Sequence, residues 1–109
     1  AKALLALPDR PTAIFASNDD MALGCVAAIA EAGLMTPGDV SVAGFDDSPS
    51  ARFSRPQLTT VRQPVAEMSS VAAKLLIAQA KTNETAERPE DILLPFELIH
   101  RASTAPPPR

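Results

Sequence analysis

The sequence predicts an α/β protein with a mainly parallel sheet, and three observations carry the prediction. A short apolar run, Thr12–Ala16, leads straight into Ser17-Asn18-Asp19-Asp20. A stretch rich in Ala, Leu and Met follows, with no strand-like alternation. A second apolar run, Val40–Phe45, is almost unbroken, as strands covered on both faces of a parallel sheet are. Taken in order these make a strand, a helix and a strand, and a right-handed βαβ unit sets its two strands side by side.

Each element has its own justification. Ala1–Leu7 (AKALLAL) reads as the end of a helix stopped by Pro8, so the chain is expected to begin within an element, and it shows no basic-then-apolar signal pattern. Thr12–Ala16 is a buried strand, and the Ser-Asn-Asp-Asp after it offers helix N-caps. The helix is expected from about Met21 to Ala32, closed by Gly33-Leu34 as a Schellman stop. Thr36-Pro37-Gly38-Asp39 turns the chain into the second strand. Asp47–Gln57 has neither helical nor strand period and is expected to be a loop with a functional or interface role. Leu58–Gln63 is a short strand or crossover. Pro64 suits N1 of a helix in which Val65, Met68, Ala72, Leu75, Leu76 and Gln79 recur at helical spacing through Lys81. Thr82–Glu90 is a polar linker, Asp91–Leu94 and Phe96–Arg101 are strand candidates around Pro95, and Ala102–Arg109 is expected to be a disordered tail.

Composition narrows the function. The chain of 109 residues suits one modest domain. Its formal charge of −3 and pI near 5.0 provide no basic face for nucleic-acid phosphates, so any DNA contact falls to another part of the protein. Charged residues interrupt every apolar run well short of a membrane span. The single cysteine, Cys25, excludes an internal disulfide and fits a reducing, cytoplasmic setting. Cys25 and the lone His100 have no partner at metal or catalytic spacing, and with the three methionines they read as packing or surface residues; no cofactor is expected.

In open α/β sheets ligands bind beyond the carboxyl ends of the strands. Three such ends carry polar residues: Asn18, Asp19 and Asp20 after the first, Asp46 and Asp47 after the second, Arg62 and Gln63 after the third. Asn18 and Asp46 are expected on one rim of a crevice, where an amide that donates and accepts stands beside a carboxylate that accepts, a combination suited to polyols. Asp19 and Asp20 are assigned to the helix start, Asn18 suits capping and ligand contact equally, and Asp46 has no clear helix after it to cap. Arg62 is read as pairing with an acidic residue at the crossover. The paired aspartates also raise an Mg²⁺-dependent, receiver-type phosphoacceptor as an alternative, against which stands the lack of a Lys at any strand end.

The ordered set PTAIFASNDDMALGCVAAIAEAGLMTPGDVSVAGFDD, LTTVRQP and LPFELIHRAST resembles the C-terminal third of LacI/GalR-family transcriptional regulators over nearly the whole chain. The resemblance implies a fragment of a periplasmic-binding-protein-like fold, a three-layer α/β/α effector domain of two subdomains closing on a small-molecule effector, a sugar or related polyol. It implies that Asn18 and Asp46 contact the effector with Gln63 near the pocket rim, and that Leu23, Arg52 and Phe53 lie in a homodimer interface. Residues 1–63 would belong to the C-terminal subdomain, 64–81 to a helix of the N-terminal subdomain, and 82–101 to a terminal linker and strands returning to the C-terminal one, with 102–109 as the tail. Operator DNA would be held by a helix-turn-helix outside these residues. An exported periplasmic sugar receptor, with the same fold and chemistry, is the nearest alternative, and LTTVRQP with the terminal Ser-Thr argues against it.

Overall fold

A computed structural model describes residues 1–82 and 91–108; the linker expected at Thr82–Glu90 lies, beyond Thr82 itself, outside the described residues. The elements run α1 (Lys2–Leu5), β1 (Ala13–Phe15), α2 (Asp19–Glu31), β2 (Ser41–Ala43), α3 (Pro49–Phe53), β3 (Thr60–Arg62), α4 (Val65–Thr82) and β4 (Glu97–Ile99). They form two compact units, Ala1–Arg62 with Glu97–Arg109, and Gln63–Phe96. The division therefore falls after Arg62 and again before Glu97, which puts Gln63 and residues 91–96 with α4.

The first unit is the α/β body. Strands β1 and β2 pair in parallel with Ile14 opposite Val42, and β3 and β4 pair antiparallel with Val61 opposite Leu98. A parallel bridge between Ala43 and Thr59 joins the two ladders, extended by Gly44 N–H donating to Thr59 O (2.9 Å) and Asp46 N–H to Val61 O (2.9 Å). Val40, Val42, Ala22, Ile29, Ala51 and Leu58 are wholly buried and make the core. Each of the larger ones contributes roughly 1.5–3 kcal/mol by leaving water. The covered strand is β2, as its unbroken apolar run predicts, whereas β1, expected to be buried, has Ala13 and Phe15 exposed and only Ile14 half-buried.

Helix α2 begins two residues earlier than expected because Asn18 caps it, and ends at a Schellman motif. Gly33 has φ +73°, its N–H donates to Ala30 O (3.0 Å), and Leu34 N–H donates to Ile29 O (3.1 Å). The carbonyls that a helix end leaves over are thus satisfied inside the turn.

Three expectations need correction. Asp47–Gln57 is not only loop, because α3 forms within it: Ser48 Oγ accepts from Ala51 N–H, Pro49 fills the first turn, and Ala51 is buried. A five-residue helix is too short to show a period. Asp91–Leu94 forms no strand, and β4 is confined to Glu97–Ile99. The tail expected to be disordered is docked at its start. Ser103 is fully buried, its Oγ donates to Val42 O (2.6 Å) and accepts from Thr59 N–H (2.8 Å), and Val42 N–H donates to Ser103 O (2.8 Å). Ala105 N–H continues the docking onto Ser41 Oγ (3.0 Å). Backbone groups of β2 that would otherwise be buried without partners require this segment.

In the second unit, Val71 and Leu75 of α4 are half-buried and line an apolar groove with Met68, Ile92 and Leu94, while Val65, Leu76 and Ile77 are exposed. The 91–94 segment thus lies along part of the apolar stripe, and the rest of the stripe stays in water. Among the described residues no helix is long and apolar enough to cross a membrane.

Candidate functional site at the strand ends

The carboxyl ends of β1 and β2 are tied together by two backbone bonds, Ala16 N–H to Ala43 O (2.9 Å) and, further out, Asp19 N–H to the carbonyl of Phe45 (3.0 Å). Asn18 precedes the donor of the outer bond and Asp46 follows its acceptor, so the two sit on the same rim, with parallel pairing behind them from Phe15–Ala43 onward. Asn18 is half-buried and its Oδ1 accepts from Met21 N–H (2.8 Å), so its carbonyl end caps α2. Among the described residues its side-chain nitrogen has no hydrogen-bond partner and keeps its donors. Asp46 is exposed and adopts φ 111°, and Asp47 follows at φ 52°. Backbone torsions of this kind cost non-glycine residues of order 1–3 kcal/mol each and persist only where the surroundings enforce them. Asp46 does not cap α3; Ser48 does.

The second aspartate of each doublet lies inside. Asp19 is buried, with Oδ1 accepting from Thr60 Oγ1 (2.5 Å) and Oδ2 from Ser48 N–H (2.6 Å). It therefore ties the start of α2 to β3 and to the cap of α3, a larger role than helix capping. Asp47 is also buried: Oδ2 accepts from Arg62 Nε (2.7 Å) and Arg52 Nη2 (3.0 Å), and Oδ1 from Arg101 Nη2 (2.5 Å). Its N–H donates to Thr60 Oγ1 (3.3 Å), so one hydroxyl links both doublets. Burial alone would push the Asp47 carboxyl up, but hydrogen bonds from Arg101, Arg62 and Arg52 outweigh it and hold its pKa at about 2 against an ordinary 3.8. Arg62 gains in turn, its own pKa raised by its bond to Asp47, and it also reaches Glu97 Oε2 (3.1 Å).

Of the residues singled out from sequence, Asn18 and Asp46 are brought together. Gln63 belongs to the second unit. Leu23 is half-buried against the core, Arg52 is exposed with its guanidinium on Asp47, and Phe53 is four-fifths exposed on α3. The pairing of Arg62 with an acid at the crossover is present. Sequence reasoning missed Arg101, whose partner is 54 positions away, and the depth of Asp47. Of the four carboxylates weighed for Mg²⁺, Asp19 and Asp47 are committed to protein donors, and the described residues hold no group of three His, Cys, Asp or Glu side chains placed for a metal.

This arrangement is that of an α/β domain with a polar rim at the carboxyl ends of parallel strands, the edge at which such folds bind ligands. Residues 1–104 match the family model described as periplasmic binding protein-like domain. The chain is 45% identical over 107 residues to the lactose operon repressor of Rhizobium radiobacter, covering 98% of this chain and 92% of that one. It is 45% identical over 100 residues to the probable HTH-type transcriptional repressor ExuR of Bacillus subtilis, covering 92% of this chain but only 29% of that protein. A LacI family transcriptional regulator from Enterococcus faecium, solved with bound ribose, superposes with a TM-score of 0.77 at 35% identity over 96% of this chain and 38% of its own. The chain belongs to the periplasmic binding protein-like family, among the effector domains of LacI-family transcriptional regulators, with the mixed α/β fold expected of it. It spans less than a third of the Bacillus relative.

Proposed function

We propose that this chain senses a sugar or related polyol for a cytoplasmic, homodimeric transcriptional regulator whose operator contacts lie outside these residues. The observation that carries the reading is Asp46: a carboxylate at the end of a covered strand, held in a torsion that glycine would adopt freely, beside an amide whose nitrogen still has donors to give. A glycine there would remove the strain and the carboxylate together. Asp46 accepts from ring hydroxyls and Asn18 donates to them. The ribose bound to the Enterococcus regulator and the name of the Rhizobium repressor support a sugar as the ligand class. Leu23, Arg52 and Phe53 are assigned to the dimer interface, with exposed Phe53 as its apolar anchor. Effector binding then shifts the population of regulator conformations competent for DNA.

The test is titration of the whole regulator with D-ribose and lactose, by calorimetry and by operator release. Asp46→Asn has nearly the same volume and loses at least one charge-assisted bond, worth roughly 1.5–3 kcal/mol. Effector affinity is expected to fall by about ten- to a hundredfold, with operator affinity in the absence of sugar unchanged. A variant that melts early yet responds at the wild-type sugar concentration would sink the contact assigned to Asp46.

A further inference from the structure

We propose that Asp47, clamped by Arg52, Arg62 and Arg101, is a positioning residue that holds Asp46 in its left-handed conformation at the rim; its consequence for binding rests on the sugar-sensing reading above. Three guanidiniums from three places in the chain, α3, β3 and the segment after β4, converge on this one buried carboxylate. Such convergence fixes the Asp47 side chain from every side, and its N–H is held by Thr60 Oγ1. On the other flank, the carbonyl of Phe45 is held by Asp19 N–H, and between the flanks Asp46 N–H donates to Val61 O. With both neighbours fixed, the backbone of Asp46 is left with the torsion observed, φ 111°, which a free chain would leave for a negative φ.

The arginines are themselves fixed. Arg101 Nη1 donates to Leu58 O (2.9 Å) and its backbone N–H to Thr59 Oγ1 (2.9 Å), so the clamp stands on the segment next to the core. Arg62 is braced by Glu97, its register partner across β3 and β4. Arg52 is the most exposed arm, and Gln57 Nε2 donates to its carbonyl (2.9 Å). An ordinary buried ion pair would need one partner. Three, placed next to the strained residue, make a device that transmits the order of β3, β4 and α3 to a single rim carboxylate.

The experiment compares whole wild-type regulator with Asp47→Asn in three readouts: amide hydrogen exchange, thermal melting, and titration with D-ribose and lactose. Exchange at Phe45–Ser48 is expected to rise at least tenfold while α2 keeps its protection, and sugar affinity is expected to fall at least tenfold. Exchange that stays unchanged at Asp46, or that rises equally through α2, would overturn the positioning role by showing either no effect or general unfolding. Wild-type sugar affinity in a locally loosened variant would overturn it too. Should Asp47→Asn not fold, Arg52→Gln removes the outermost arm and is expected to give the same local signature at two- to threefold. If the wild type binds neither sugar, the sugar reading fails, and the exchange arm alone decides whether Asp47 holds Asp46.

Discussion

The two strand ends that form the rim are built alike and satisfied differently. After β1 the doublet is Asn18-Asp19, after β2 it is Asp46-Asp47; in each the first residue stands at the rim and the second is buried. Asp19 is met by neutral donors, a hydroxyl and a backbone N–H, whereas Asp47 is met by three guanidiniums. The difference follows the backbone. Asp19 lies in the first turn of α2, with ordinary torsions and helix N–H groups around it, so weak donors suffice. Asp47 lies in a left-handed stretch without helical support, and stronger charge-assisted bonds hold it there.

Removing each buried acid tests that contrast, and the largest effect is expected at Asp47. Asp47→Ala leaves Arg101, largely buried, without its carboxylate partner, while Arg62 keeps Glu97; a loss of about 3 kcal/mol is expected in thermal or urea unfolding near neutral pH. The loss depends on pH with a definite sign. The folded pKa of about 2 lies below the ordinary 3.8, so the carboxylate's stabilisation is complete above about pH 4 and disappears as pH falls through 2. Wild type and Asp47→Ala should therefore converge in stability as acid is added. Parallel curves down to pH 2 would contradict the clamp.

The next effect is smaller because no charge is left unpaired. Asp19→Ala orphans Ser48 N–H and the Thr60 hydroxyl, and roughly 1–3 kcal/mol is expected, with sugar affinity reduced only through loosening of the rim. A loss larger than that of Asp47→Ala would reverse the ranking of neutral and charged donors.

The smallest effects should differ in sign between the rim residues. Asn18→Ala deletes the cap on Met21 N–H and costs about 1 kcal/mol. Asp46→Gly relieves a positive φ and is expected to raise the melting temperature, by an amount worth up to about 1 kcal/mol, while sugar binding is lost. A fall in melting temperature would mean that Asp46 supports the fold and not the ligand.

Local signals in the sequence made the βαβ unit and the rim doublets legible. The unbroken run Val40–Phe45 marked a covered strand, and Gly33-Leu34 marked the helix stop, because both features depend on neighbours in the chain. Asn18 and Asp46 were found because strand ends in this architecture meet at one edge. What stayed hidden is non-local. Arg101 reaches Asp47 across 54 positions and Ser103 reaches Val42 across 61, and nothing in the residues around Arg101 or Ser103 announces either contact. Pro106-Pro107-Pro108 made the end of the chain look unstructured as a whole, although docking reaches Ala105. Helix α3 did have local signals, Ser48 before Pro49, but its five residues offer no period to confirm them.

The seat of Ser103 also sets the order in which this chain can be finished during synthesis. Its hydroxyl joins the carbonyl of β2 to the amide ahead of β3, and its own carbonyl takes the amide of Val42, so three backbone groups next to the core wait for one late residue. A chain emerging amino end first makes α2, β1 and β2 long before Ser103 leaves the ribosome. Until then the second edge of β2 is an open strand carrying unpaired polar groups, the kind of surface that chaperones hold and that nascent chains aggregate through. Closure of this edge of β2 therefore waits for a residue 61 positions downstream of the strand it completes.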